Sequence, residues 1–166
     1  MELKLFPLHT GVWEGTYTRI SPEGKIIDHH KSRLTLRLQG NCWEQMNEYF
    51  WDNGRYERHN FGQSYFDENG VMTFDNDRIY GKAWESNGSI VLQWTYKAEP
   101  GTQLYELINL LEPGHRMRVW QWSRNGQFEG LTMIEERQVT TQEQTDYDAI
   151  AQYKLPSEIR QAPVAV

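Results

Sequence analysis

The chain reads as all-β: an antiparallel up-and-down β-barrel of about ten strands, with a short C-terminal helix. Three observations predict this. Turn signals recur at short, even spacing, among them Ser21-Pro22-Glu23-Gly24, Asp52-Asn53-Gly54, Ser86-Asn87-Gly88, Glu112-Pro113-Gly114 and Arg124-Asn125-Gly126. The runs between them are rich in aromatic and β-branched residues. Seven Trp, nine Tyr and six Phe, 13% of 166 residues, supply ring area for a core in a chain only 38% hydrophobic.

Read in order, the strands fall at roughly 11–20, 25–38, 42–51, 55–66, 71–74, 78–85, 89–97, 103–111, 115–123 and 127–138. The loops are short, so each strand is expected beside its sequence neighbour. With Gly40-Asn41 as a hairpin loop, Arg37 faces Glu44, Arg33 faces Glu48, and Thr35 lies opposite Met46. Opposite charges across a pair contribute about 0.2–1 kcal/mol. The other face then holds Leu34, Leu36 and Leu38 against Trp43, Gln45 and Asn47, with Tyr49 opposite Ser32. A slip of one residue would put every leucine in water. The leucine face is inner, and its amides Gln45 and Asn47 and the Tyr49 hydroxyl need partners there. They predict a lumen that holds water or a ligand.

Asn125-Gly126 is the strongest hairpin signal in the chain. Carried through without interruption, it sets Arg116 opposite Glu135, Arg118 opposite Met133, Trp120 opposite Leu131 and Trp122 opposite Glu129. One face of this ribbon therefore carries Arg, Trp and Glu together. Turned inward, it is a cup for a planar, anionic, partly apolar molecule, because guanidinium pairs with acids and indole stacks on flat rings. Turned outward, it leaves Met117, Val119, Phe128 and Ile134 inside. Trp120, Trp122, Leu131 and Met133 then form an exposed patch that needs the C-terminal helix or a second subunit as a cover. The residues by themselves leave both placements open.

Beyond the sheet, Thr140 and Glu143 form a capping-box pattern. Tyr147, Ile150 and Ala151 follow at helical spacing, Pro156 ends the run, and the residues from about Gln161 read as a frayed tail. The expectation is one domain over 1–166, with the barrel at about 8–139 and the helix and tail at 140–166.

Composition excludes some functions. A net charge of −6 lacks the basic footprint of a nucleic-acid binder. There is no secretory leader pattern and no apolar run long enough to span a membrane. The single cysteine, Cys42, allows no internal disulfide. A cytoplasmic protein is expected. The five histidines show no metal-site spacing, and adjacent His29 and His30 point to opposite faces, so no metal is expected. Cys42 has no base placed beside it and reads as incidental. Glu106, between Tyr105 and Leu107, is the one internal carboxylate in an apolar run; exposure at a strand edge is its simplest setting, and burial would make it a proton donor.

Gly11-Val12-Trp13-Glu14-Gly15 resembles the Gly-x-Trp signature that opens lipocalin-type barrels. The resemblance implies that Trp13 closes one end of the barrel and that Arg137, from Glu135-Glu136-Arg137, packs over it. The strand order followed by a helix is similar to the calycin superfamily, and within it to the cyanobacterial DUF3598 family, over about residues 8–139. Bilin lyases and fatty-acid-binding proteins are relatives at the level of fold. If Trp13 and Arg137 meet inside, then Glu135 and Met133 point inward too, and Arg116, Arg118, Trp120 and Trp122 follow them.

The functional expectation is a binding protein for a small apolar or conjugated, anionic ligand, lined by Trp13, Trp43, Asn47, Tyr49, Arg116, Arg118, Trp120 and Glu135. Two alternatives stand beside it. One is a bilin-lyase-like lyase, isomerase or cyclase using Glu135 or Glu106 as its acid. The other is a homodimer or interaction module built on the Trp120/Trp122 face. The identity of any ligand or cofactor is not readable from the residues.

Overall fold

The computed structural model describes residues 1–152. Ten strands form one closed antiparallel barrel: β1 (Gly11–Ile20), β2 (Ile26–Gln39), β3 (Cys42–Phe50), β4 (Tyr56–Phe66), β5 (Met72–Asp75), β6 (Ile79–Ser86), β7 (Ser89–Tyr96), β8 (Thr102–Glu112), β9 (His115–Arg124) and β10 (Gln127–Thr140). Each strand pairs with its sequence neighbours, and β1 pairs with β10 to close the ring. Closure leaves no free sheet edge. Asn87-Gly88 and Asn125-Gly126 both take positive φ, as two-residue hairpin turns between right-twisted strands require.

The β2–β3 register is the one the charge pairs predict: Arg37 opposite Glu44, Arg33 opposite Glu48, Leu34 opposite Asn47 and Ser32 opposite Tyr49. Leu34 and Leu36 are buried inside. On the outer face, the Arg37–Glu44 pair (2.5 Å) is largely covered rather than in open water. Its cover is α1 (Tyr147–Gln152): Arg37 lies 4.5 Å from the Tyr147 ring and 2.9 Å from Asp148 Oδ1, and Arg58 donates to the Ile150 carbonyl. The capping box falls one residue later than the sequence suggests, on Thr141 and Gln144, and opens a 3₁₀ turn (Gln142–Gln144) ahead of α1. Pro156 and the tail from Gln161 lie outside the described residues.

The final hairpin departs from its predicted register. Phe128 lies opposite Ser123, as the turn requires, but Leu131 then pairs with Gln121. The extra residue is a bulge at Gly130, whose φ is +100°. A Cβ there would sit 2.1 Å from the Ile20 carbonyl oxygen. Beyond the bulge, every partner on β10 moves by one. Arg116 pairs with Glu136, Arg118 with Ile134 and Trp120 with Thr132. Ile134 and Glu136 therefore point inward at 0% exposure, while Met133, Glu135 and Arg137 point out.

The barrel has a closed end and an open end. At the closed end a 3₁₀ turn (Phe6–His9) seals the lumen, anchored by the Glu85 carboxylate, which accepts from the Lys4, Leu5 and Phe6 amides. Phe6 packs edge-on against Trp43 and Phe66. Gly11 enters β1 at φ +88°, and a Cβ would meet the Thr140 carbonyl oxygen at 2.2 Å. This close crossing is the physical need behind the glycine of Gly-x-Trp.

Candidate functional site

Alternation along β8, β9 and β10 sends four charged side chains into the lumen: Glu106, Arg116, Arg118 and Glu136, each at 4% exposure or less. Glu136 Oε1 accepts from both Arg116 Nε (2.9 Å) and Arg118 Nε (2.7 Å). Arg118 Nη1 also reaches Glu106 Oε2 (3.1 Å), and its Nη2 donates to the Tyr17 hydroxyl. Trp120 Nε1 donates to the same Glu106 oxygen. Two cations and two anions cancel, which is how four such groups can share a buried site.

Their proton affinities follow from this packing. Burial would raise Glu136, but the two guanidiniums outweigh it and hold the carboxyl below its ordinary value. Glu106, with one close guanidinium, is held above the ordinary range by burial. Burial and the charge of Arg116 push His9 down to about 3. Its Nδ1 accepts from Arg116 Nη1 at 3.2 Å, so the ring is neutral with its proton on Nε2.

Trp13 is fully buried at the closed end and donates to the Thr10 carbonyl. The guanidinium that covers it belongs to Arg116, at 4.2 Å, and not to Arg137. Arg137 is exposed and lies near Glu135 on the outer surface, where Glu135 also meets His115 (2.6 Å). The expected inward positions of Glu135 and Arg137 are thus overturned by the Gly130 bulge, and Glu136 takes the place expected of Glu135. Glu106 is likewise corrected: its neighbours Tyr105 and Leu107 are the exposed ones.

Above the charged quartet lies a cavity of about 90 Å³. At about 10–15 Å³ per water it holds several waters, so it is a real opening and not a packing defect. Trp43, Asn47, Tyr49, Trp94, Tyr96, Arg118 and Trp120 border it. Inner-facing side chains of β3 form a polar ladder up one wall: Trp43 Nε1 donates to Gln45 (3.2 Å), Gln45 to Asn47 (3.0 Å) and Asn47 to the Tyr49 hydroxyl (2.8 Å). Rings form the opposite wall, with Trp120 edge-on to Trp94 and to Tyr17. Trp122 is buried and donates to Thr132 Oγ1, so the Trp120/Trp122 face is interior and is not the exposed patch of the outward alternative.

Of the eight residues read from the sequence, Trp43, Asn47, Tyr49, Arg118 and Trp120 meet around this cavity. Arg116 borders a smaller space of about 50 Å³ beneath it, with His9 and Phe6. Trp13 lies in the packed base, and Glu135 is outside. Sequence reasoning missed Tyr17, Arg78, Tyr96 and Glu136. A lone glycine within a strand, Gly130, was the available sign of a bulge and so of Glu136.

A ten-stranded barrel with a Gly-x-Trp opening, a sealed base and a lined lumen defines a calycin-like protein. Residues 2–141 match the family described as "Domain of unknown function (DUF3598), N-terminal", and the chain belongs to that family. A DUF3598 protein of unknown function from Nostoc punctiforme shares the fold at TM-score 0.63 and 16% identity over 84% of this chain. The chain spans about half of that protein (51%). An S-type phycobiliprotein lyase from Guillardia theta superposes at TM-score 0.61 and 14% identity, covering 83% of this chain and 92% of its own. Rv2717c from M. tuberculosis gives 0.56 and 15%, covering 81% and 94%. At these identities the likeness is one of fold. No curated protein matches the chain. No helix among the described residues is long and apolar enough to cross a membrane.

Proposed function

We propose that this barrel binds a small, apolar or conjugated molecule in its lumen. The observation that carries the reading is the lumen cavity, with aromatic walls and a polar ladder ending at Asn47 and Tyr49. Apolar walls with a few fixed polar groups are the usual make-up of ligand sites. In this reading Trp43, Trp94 and Trp120 stack on the ligand, Asn47 and Tyr49 orient it, and Arg118 holds Tyr17 and Glu106 in place. Trp13 and Arg116 form the floor. Titration with fatty acids, carotenoids and bilins, followed by Trp fluorescence, tests it: saturable quenching by at least one is expected, and a folded protein quenched by none would refute it.

One observation favours a second reading, a lyase, isomerase or cyclase on the same barrel. Glu106 borders the cavity, and its burial raises its proton affinity, as suits a general acid. Glu106→Gln separates the two readings: an enzyme keeps ligand affinity and loses turnover, whereas a binder has no turnover to lose.

A further inference from the structure

The buried arginines are poor anchors for a ligand's acid, because Glu136 and Glu106 already neutralise them. A third carboxylate there would add an uncompensated charge to a buried site. The open rim is different. Arg19, from the end of β1, lies with its guanidinium 3.9 Å from the centre of the Trp122 ring. Trp122 stacks on Tyr96 at 5.8 Å and 20°. Arg78, in the bend between β5 and β6, then lies 5.3 Å from the Tyr96 centroid. The rim thus carries a cation–ring–ring–cation stack.

Neither arginine has an ion pair among the described residues. The nearby carboxylates are engaged elsewhere: Glu99 and Glu129 bind Arg124, Glu57 faces Arg55, and Asp28 binds His30 and Trp51. Arg19 Nε is buried without a hydrogen-bond partner. Arg78 borders both the main cavity and the rim space of about 50 Å³ that Arg19 lines. A guanidinium over a ring face has five N–H donors, more than the ring or one hydroxyl can use, and the remainder can serve an acceptor.

We propose that Arg19 and Arg78 form the anion-recognition site of this barrel, so that an amphipathic carboxylate enters apolar end first and leaves its acid at the rim. This rests on the lumen-binding reading above. It makes the two rim arginines the specificity determinants for acid over neutral ligands, and it assigns Arg116 and Arg118 to structure.

The test uses two probes of one skeleton, cis-parinaric acid and its methyl ester, with binding followed by probe fluorescence. The wild-type protein is expected to prefer the acid. Arg19→Gln/Arg78→Gln is expected to weaken the acid by roughly tenfold, the loss of charge-assisted hydrogen bonds, and to leave the ester within about twofold. Each single variant is expected to fall between. If the ester binds and the double variant leaves the acid preference unchanged, the rim assignment is wrong while lumen binding stands. If neither probe binds the folded wild-type protein, both fall. Both arginines are half-buried rather than core residues, and circular dichroism confirms the fold of each variant before titration.

Discussion

Glu136 and Glu135 are neighbours in sequence with opposite environments, and exchanging each for glutamine measures that difference. Glu136 is fully buried and its Oε1 serves two guanidiniums that are themselves almost completely buried. Glu136→Gln keeps the shape and an acceptor oxygen but leaves two buried cations with only Glu106 as counter-charge. Breaking a buried pair by removing one partner costs about 3–5 kcal/mol. For a domain of this size, 1 kcal/mol moves the melting temperature by about 2–4 °C, so a fall of roughly 6–20 °C is expected. The Glu135 side chain is 41% exposed, with His115 and Arg137 as partners. Exposed pairs contribute about 0–1 kcal/mol, so Glu135→Gln should shift melting by at most about 4 °C. Thermal unfolding at pH 7, followed by circular dichroism, reads both. Equal losses, or a larger loss for Glu135→Gln, would refute the bulged register and with it the buried quartet.

Three further outcomes are expected. His9 is neutral in the folded barrel down to about pH 3, whereas the unfolded chain protonates it below about 6.5. Stability should therefore fall as pH drops through that window, by up to about 1.4 kcal/mol per unit from this group. His9→Gln should flatten the slope in urea unfolding at pH 7, 5.5 and 4, with a residual slope from His59, which burial lowers to about 4; parallel slopes would contradict this. Gly130→Ala forces a side chain onto the Ile20 carbonyl at positive φ and should cost about 1–3 kcal/mol, read as a lower urea midpoint. Arg37→Ala removes the partners of Tyr147 and Asp148, so amide exchange should speed up in Tyr147–Gln152 while the barrel strands keep their protection.

Much of the fold is legible because local and global preferences agree. In β2 and β3 the leucine face, the charge pairs and the Gly40 turn each demand the same register, and no bulge interrupts it. In the last hairpin, the Asn-Gly turn fixes pairing only as far as Phe128. Gly130 then adds a residue, and alternation carries the error through to Arg137. The inward set of β9 survives because it depends on that strand's own alternation: Arg116, Arg118, Trp120 and Trp122 face the lumen whichever residues oppose them. Only their partners change, from Glu135 to Glu136 and from Arg137 to Arg116 over Trp13. The rim stack was not legible, since Arg19, Tyr96 and Trp122 come from three strands and Arg78 from the β5–β6 bend, and no spacing within one strand brings them together.

Seven indole N–H groups report directly on where a ligand sits. In a two-dimensional NMR titration with cis-parinaric acid, the indole signals of Trp43, Trp94 and Trp120 should shift, because these rings border the cavity. Those of Trp13, sealed in the base, and Trp84, on the outer face beneath Lys82, should stay still. Saturable movement of Trp84 with silent Trp94 and Trp120 would put the ligand on the outside of the barrel and end the case for a binding lumen.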